Sequence, residues 1–518
     1  MLRTFTYQLG DVPPRILLNF LLVVSLVALA YAVIQGDLIL AGIIVALPLV
    51  LSIGFYAFVN PRFMYLLYAI YDVSFIAIMR YIHKDGLSAV LDALHIVFIL
   101  SILIAQYTKR DNINLKRCVN GLTLCYIIWA VFIIFQFLNP GVGAKGMEQG
   151  FRLWIMGPLC ICFMASILSD THKSLRCAIG FAIFFTTILF AKLMWQRWEG
   201  FDAAERYLLY VQGMARTHII SSGVRYFSFI SDAANFGTIM GILTLILSIT
   251  AFNCRKKWHR YATLTTAIFA LIGVLMSGTR GALVIPLAGI ALFVLICKNI
   301  RVFALTSIFG IFLFIFLAFT DFGNGNQFIR RARTIFSPHK DASYMVRVEN
   351  RKEIAAYLES RPWGVGMAEN IPKLWINGDE YTYGTIPPDS YMVSIWIQTG
   401  TIGLIIYLLT QAGIILFCCY TVMFRIKDPR LRNILAGFTG AYFGTIICGY
   451  VAYTPGQHPT NYLILAMAAF VINGEHIDKD LAAENAAELE KMQKEREKQQ
   501  RLMPPPTRRT IEIELDKS

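Results

Sequence analysis

The chain has 518 residues, of which 56% are hydrophobic and only 15% charged, and its formal net charge is +14. A soluble chain carries about 25% charged residues, so the apolar excess, with a mean hydropathy of +0.57, excludes an ordinary soluble enzyme. The apolar residues come in runs of about 20, the length of a helix that crosses roughly 30 Å of hydrocarbon, and not as alternating ten-residue strands, which excludes an outer-membrane barrel.

The first run, 15–34, follows Arg3 and Arg15 and ends without a small-x-small cleavage site. It reads as a first span, not as a cleavable signal. Further runs lie at 38–59, 63–80, 87–106, 118–138, 152–169, 176–195, 234–253, 260–276, 281–297, 302–320, 390–423, 432–451 and 460–474. Asp72, Asp92 and His95 interrupt two of the early ones and are candidate intramembrane relay groups. The expected fold is all-α: a polytopic integral membrane protein of about 12–14 transmembrane helices.

Basic residues cluster on alternate loops: Lys109, Arg110, Lys116 and Arg117; Lys173 and Arg176; Arg255, Lys256, Lys257 and Arg260; Lys298 and Arg301; Arg425, Lys427, Arg430 and Arg432. The positive-inside rule places these loops, and both termini, in the cytoplasm. Arg80, His83 and Lys84 break the pattern by falling outside. The same distribution accounts for the net charge without nucleic acid as a partner. The ten cysteines lie in or beside spans, as Cys160, Cys162, Cys418 and Cys419 do. They form neither a disulfide framework nor a zinc motif.

Two outer loops are long, 196–233 and 321–389, and long connections are usually functional. The second is expected to hold a helix over 344–358 and to break at Pro362 and Gly364-Val365-Gly366. The organisation is therefore 1–195, N-terminal spans; 196–320, spans with the first outer loop; 321–389, the large outer loop; 390–475, C-terminal spans; and 476–518, a charged cytoplasmic tail. Within the tail, 481–502 is rich in Ala, Glu, Lys and Gln and reads as an exposed helix, either solvated or partner-binding, ended by Pro504-Pro505-Pro506.

Ser277-Gly278-Thr279-Arg280-Gly281 joins two spans by so short a turn that Arg280 sits at the membrane boundary. An arginine there is costly unless it is paired or employed. It either snorkels to headgroups or forms an anion site, for which a charged bidentate fork suits phosphate. Arg225, before the span at 234, faces the same compartment, and the two together could hold a diphosphate. Asp389, in Pro388-Asp389-Ser390-Tyr391, either caps the next helix or orients an acceptor hydroxyl or an arginine. Arg330, Arg331, Arg333, His339 and Lys340 open the large loop, and Arg347 and Arg351 lie one turn apart on its helix. They are solvated surface or anion contacts. His458 is a further outer-face titratable group or a turn histidine. No Walker loop, HExxH, Gly-x-Ser-x-Gly or Asp set for Mg²⁺ is present, so no metal or cofactor is expected.

In combination these segments resemble the O-antigen ligase and O-antigen polymerase superfamily of bacterial envelope glycosyltransferases. Ser277 to Gly281 resembles its Ser-x-Ser/Thr-Arg-Gly element, and Arg225 with Asp232 and Asn235 resembles the arginine of its preceding periplasmic loop. Ser390, Gly400 and Gly403 fit the spacing of a His-x-Ser/Asn, nine residues, Gly-x-x-Gly motif, and Pro362, Gly364 and Gly366 resemble a Pro-x-Gly-x-Gly element. The resemblance covers roughly 200–475. The histidine that heads the ligase motif is Pro388 here, which tilts the reading toward polymerase and leaves a base to be found among Asp389, His339 and His458.

The resemblance implies a GT-C-like, metal-independent and cofactor-free transferase in the bacterial inner membrane, working at the periplasmic face. Its donor would be an undecaprenyl-diphosphate-linked oligosaccharide. Its acceptor would be a second lipid-linked glycan for a polymerase, which would also meet a chain-length regulator, or lipid A-core for a ligase. Arg225, Arg280 and Asp389 are the candidate catalytic residues. Ser277, Thr279, Ser390, Arg347, Arg351, His339 and His458 are the candidate substrate contacts. A lipid-linked glycan transporter is the competing class; clustering of the arginines at one surface, without internal repeats, favours an interfacial enzyme.

Overall fold

The computed structural model describes residues 52–82, 86–108, 113–220, 223–322, 342–367 and 390–502, with 325, 333, 374–376 and 379–381. The chain is an all-α polytopic membrane protein. Its helices are α1 Pro61–Ile82, α2 Leu87–Thr108, α3 Gly121–Gln136, α4 Ala144–Leu168, α5 His172–Trp198, α6 Ala233–Asn253, α7 Lys257–Ser277, α8 Arg280–Ile296, α9 Ile300–Phe319, α10 Ala342–Leu358, α11 Tyr391–Tyr420, α12 Pro429–Cys448, α13 Thr460–Ile472 and α14 Gly474–Leu502. Among the described residues, seven are long and apolar enough to cross a membrane: α1, α2, α4, α5, α6, α7, and α11 continued to Arg425. Three shorter apolar helices, α3, α8 and α13, accompany them. The expected first span, 15–34, and most of the second lie outside the described residues.

The chain divides into two compact units, 1–68 with 93–113, and 69–92 with 114–518. In the first, the buried His95 meets the Tyr68 hydroxyl at 3.1 Å, and Ser101 donates to the Ala57 carbonyl. The second unit holds Arg225, Ser277, Thr279, Arg280, Arg347, Arg351, Ser390 and His458.

Local chemistry starts the helices where the site needs them. Asp232 caps α6 by accepting from the amides of Ala234 and Asn235, which satisfies donors that no preceding turn can reach. Ser390 caps α11, accepting from the amide of Val393. Asp428, followed by Pro429 at the first helical position, caps α12.

α6 is the axis of the second unit: 89% of its membrane-length stretch is buried, against 22% for α5. A helix apolar on every side belongs inside a bundle. Small residues let its neighbours close in. A Cβ added at Gly241 would stand 2.9 Å from the Ala282 carbonyl of α8, and one at Gly289 of α8 would stand 2.8 Å from the Gly440 carbonyl of α12. At the basic end, the first turns of α14 are not free: Ile477 is fully buried, Asp478 accepts from the amides of Lys427 and Asp428, and Glu484 pairs with Arg176 at 3.0 Å.

Candidate active site

The site is built on the turn between α7 and α8. Gly278 closes α7 with a left-handed φ of 62°, a conformation that costs a side-chain-bearing residue energy. The Ser277 hydroxyl donates to the Val274 carbonyl and accepts the Thr279 amide. Thr279 donates to the Ala233 carbonyl at the first turn of α6. These hydroxyls tie the turn to two helices, and Arg280, half-buried, opens α8 at its first position.

Arg225 comes to this turn from the other direction. The 199–232 loop folds into two short helices, Ala203–Arg206 and Ala215–His218, and a hairpin pairing Ile219 with Val224. Just past the hairpin, the Arg225 guanidinium donates from Nη2 to Thr279 Oγ1 at 2.8 Å, from Nε to the Ser277 carbonyl at 3.3 Å and from Nη1 to the Thr217 carbonyl at 3.0 Å. It is thereby fixed against the residue preceding Arg280. Sequence reasoning placed the two arginines at one surface; the structure joins their loops directly.

His218 supports this loop from inside. Its Nε2 accepts the Ala233 amide while Nδ1 donates to the Met214 carbonyl, the pattern of a neutral imidazole. Burial pushes its pKa below the usual histidine value, and the nearby Arg225 charge adds to that effect. Below it, Arg80 donates to the carbonyls of Ser228, at 2.7 Å, and Ile230, lies over the Phe227 ring and pairs with the fully buried Glu205. Lys192 and Gln196 reach the same carboxylate at 3.0 and 2.9 Å. This explains why Arg80 breaks the positive-inside pattern: it anchors the loop that carries Arg225. Its break in charge parity was the signal in the sequence; Glu205 and Gln196 gave none.

The third component is the loop 449–459 between α12 and α13. His458 Nδ1 lies 2.6 Å from Oδ1 of Asp72, a carboxylate wholly buried on α1, and the imidazole stands edge-on to Phe75. Burial alone would lower the His458 pKa, but the charge and hydrogen bond of Asp72 outweigh it, so the pKa is raised. Asn235, on the first turn of α6, donates to the His458 carbonyl at 2.8 Å and accepts from Thr460. The Asp72–His458 pair and the two arginines are therefore fixed to the same helical turn. Asp92, the other carboxylate that interrupts an early span, pairs with Arg152 at 2.6 Å.

The large loop reaches the same place. From α10, Arg347 donates to the Val451 carbonyl at 2.9 Å, and Arg351 donates to the Tyr450 carbonyl at 2.8 Å while lying over the Tyr450 ring. A Cβ on Gly281 would stand 2.8 Å from Val451, so the Arg280 turn packs on this loop as well. The two glycine motifs interlock. Gly400 breaks the helical path of α11 at φ 69° and lies against the Pro362 carbonyl, and the amides of Val365 and Gly366 donate to the carbonyls of Ile397 and Gln398. Ser390 is fully buried as the cap of α11. Asp389 and His339, with Pro388, Arg330, Arg331 and Lys340, lie outside the described residues, while Arg333 donates to the Phe322 carbonyl at 2.6 Å.

Residues 265–408 match the family model described as O-antigen ligase. The match takes in the Arg280 turn, α10, the Pro362 element and the Gly400 kink, and supports membership of the O-antigen ligase and polymerase superfamily. No curated protein matches the chain.

Proposed function

We propose that this O-antigen-ligase-family membrane protein transfers an oligosaccharide from undecaprenyl diphosphate at the periplasmic face of the inner membrane. The observation that carries the reading is the bond from Arg225 to Thr279, which holds two guanidinium-bearing loops together at one end of the bundle. In the reaction, an acceptor hydroxyl attacks the anomeric carbon of the donor, a C–O bond forms, and the sugar–diphosphate bond breaks with its electron pair leaving on the diphosphate. Arg225 and Arg280 stabilise that growing negative charge, the largest electrostatic contribution such a site offers.

The acceptor proton needs a destination, and His458 is our assignment for it. With Nδ1 donating to Asp72, Nε2 carries the lone pair, and the buried carboxylate stabilises the imidazolium as it forms. This fills the role left open by Pro388 in the ligase motif. Arg347 and Arg351 hold the His458 loop in place, and Asp389, just before α11, orients the acceptor. The acceptor on this reading is a second lipid-linked glycan, with a chain-length regulator as partner. The description of the matching family favours a second reading, transfer to lipid A-core.

Surface and lipid-linked glycans from a strain lacking the gene test both. Single repeats still attached to their acceptor mean polymerase, and full-length glycan stranded on the lipid carrier means ligase. In purified protein, Arg225→Ala and Arg280→Ala should each cost about 10²–10³ in transfer rate; full activity at normal folding refutes the diphosphate site. The raised His458 pKa keeps the imidazole protonated, and useless as a base, to a higher pH than an ordinary histidine near 6.5. Activity should therefore fall on acidification at a pH above that value. Asp72→Asn should move the fall to lower pH and reduce the maximal rate; an unchanged profile removes His458 from the reaction.

A further inference from the structure

A cavity of about 190 Å³ lies between α3, α4, α11 and the loop that carries His458. Its wall is a chain of touching rings. Trp154 stacks on Tyr391 at 5.8 Å, Trp129 meets Trp154 at 5.7 Å and Tyr407 at 5.3 Å, and Tyr391 meets Tyr453 at 5.6 Å. Among these rings stand the carboxamides of Gln149, Gln398 and Asn461, and among the described residues no charged side chain lines the cavity.

This lining specifies a ligand class. Aromatic faces accept the polarised C–H groups of a pyranose ring, as they accept any weakly positive edge. A carboxamide presents both donor and acceptor, which matches hydroxyl groups that are themselves both. A described wall of rings and carboxamides, without a guanidinium or ammonium group, suits a neutral polar ligand better than a diphosphate, and three carboxamides argue against an isoprenoid tail. A dry cavity of about 150 Å³ accepts one benzene ring, so a space of about 190 Å³ is on the scale of one six-membered sugar ring. Tyr453 and Asn461 flank His458 in the chain, and the Gln398 carbonyl accepts the Gly366 amide of the Pro362 element. One side of the cavity wall, Tyr453 and Gly456, therefore belongs to the loop that carries the proposed base.

We infer that this cavity is a subsite for one neutral sugar ring of the acceptor glycan. The inference rests on the glycan-transfer reading above, since the arginines take the donor diphosphate and His458 takes the acceptor proton. It assigns acceptor recognition to Trp154, Gln398 and Asn461, none of which was singled out by the sequence.

The test uses the full-length protein in lipid nanodiscs. The probe is the repeat-unit oligosaccharide released by mild acid from the host's own surface polysaccharide, followed by titration calorimetry beside transfer kinetics. Gln398→Ala and Trp154→Ala should raise the half-saturating probe concentration and the acceptor KM at least tenfold with kcat unchanged. Tyr453→Phe, which keeps the ring of a residue 39% exposed, should weaken binding less without disturbing the fold. Arg280→Ala should bind the probe normally. Probe binding indifferent to all three cavity variants, in folded protein, overturns the subsite while leaving the transfer reading intact. Binding of a short prenyl alcohol that the same variants weaken overturns it too, in favour of an isoprenoid site. Cavity variants that weaken probe binding, beside an Arg280→Ala protein that transfers normally, support the subsite and refute the diphosphate reading alone.

Discussion

Arginine holds both ends of the second unit, but against different partners. At the site end, Arg80, Arg225, Arg347 and Arg351 donate to main-chain carbonyls of the loops they secure. At the opposite end, Arg117, Arg176 and Arg425 meet the carboxylates of Asp170, Glu484 and Glu475. A carbonyl dipole orients a guanidinium without cancelling its charge, whereas a carboxylate cancels it. The first arrangement suits an end that receives an anion, as the proposed function requires; the second suits a clamp that fastens α14 across basic loops. Arg80 belongs to both patterns, because it also pairs with Glu205.

Arg80 is therefore where the comparison breaks most visibly. Removing it leaves Glu205, fully buried, with less compensation, and frees the carbonyls of Ser228 and Ile230. Breaking a buried pair by deleting one partner costs about 3–5 kcal/mol. Arg80→Ala should lower thermal stability in detergent by less than that, because Lys192 and Gln196 still reach Glu205, and should lower transfer with it, since the Arg225 loop loses its anchor. Adding Glu205→Gln should recover part of the stability. Equal stability of the single and double variants would show that the buried charge is not the cause.

Gly400 comes next. Its left-handed φ and its contact with the Pro362 carbonyl leave no room for a Cβ. Residues held in such backbone regions cost about 1–3 kcal/mol, and the steric overlap adds to that. Gly400→Ala should unfold at a lower temperature than wild type, and the Pro362 segment should become protease-sensitive before the bundle does. Gly413→Ala, farther along the same helix where a Cβ would meet only the Cys125 sulfur at 3.0 Å, is the control expected to do less.

Spans were legible because burial in lipid leaves one code, long apolar runs, and the runs at 234–253 and 260–276 fall within a residue or a few of α6 and α7. Motif residues were legible where a backbone demand fixes the residue type, as at Gly278 and Gly400. Side-chain partnerships were not, because no fixed spacing links the two partners, and some lie hundreds of residues apart. Asp72 and His458 are separated by 386 residues, and nothing in the spacing of either points to the other. The exposed helix expected over 481–502 is present, with nearly all of 482–495 exposed, but composition gave no sign that Asp478 and Asp480 just before it, and Glu484 in it, meet backbone amides and cations of distant loops.

The smallest effect is expected at that clamp. Arg176 and Glu484 are 59% and 41% exposed, and exposed pairs are worth about 0–1 kcal/mol, less in salt. Glu484→Ala should leave transfer unchanged and alter stability within that range. Its carboxyl is held below the usual value, first by the hydrogen bond from His172 and then by the Arg176 charge. A lowered folded-state pKa contributes stability above the unfolded value of about 4.3 and loses it as pH falls through the folded one. Protease accessibility of α14 should therefore rise below about pH 4 in wild type, and Glu484→Ala should blunt that rise. If Glu484→Ala instead abolished transfer, the two ends of the unit would be coupled, and the division between a charge-retaining site and a charge-cancelling clamp would have to be abandoned.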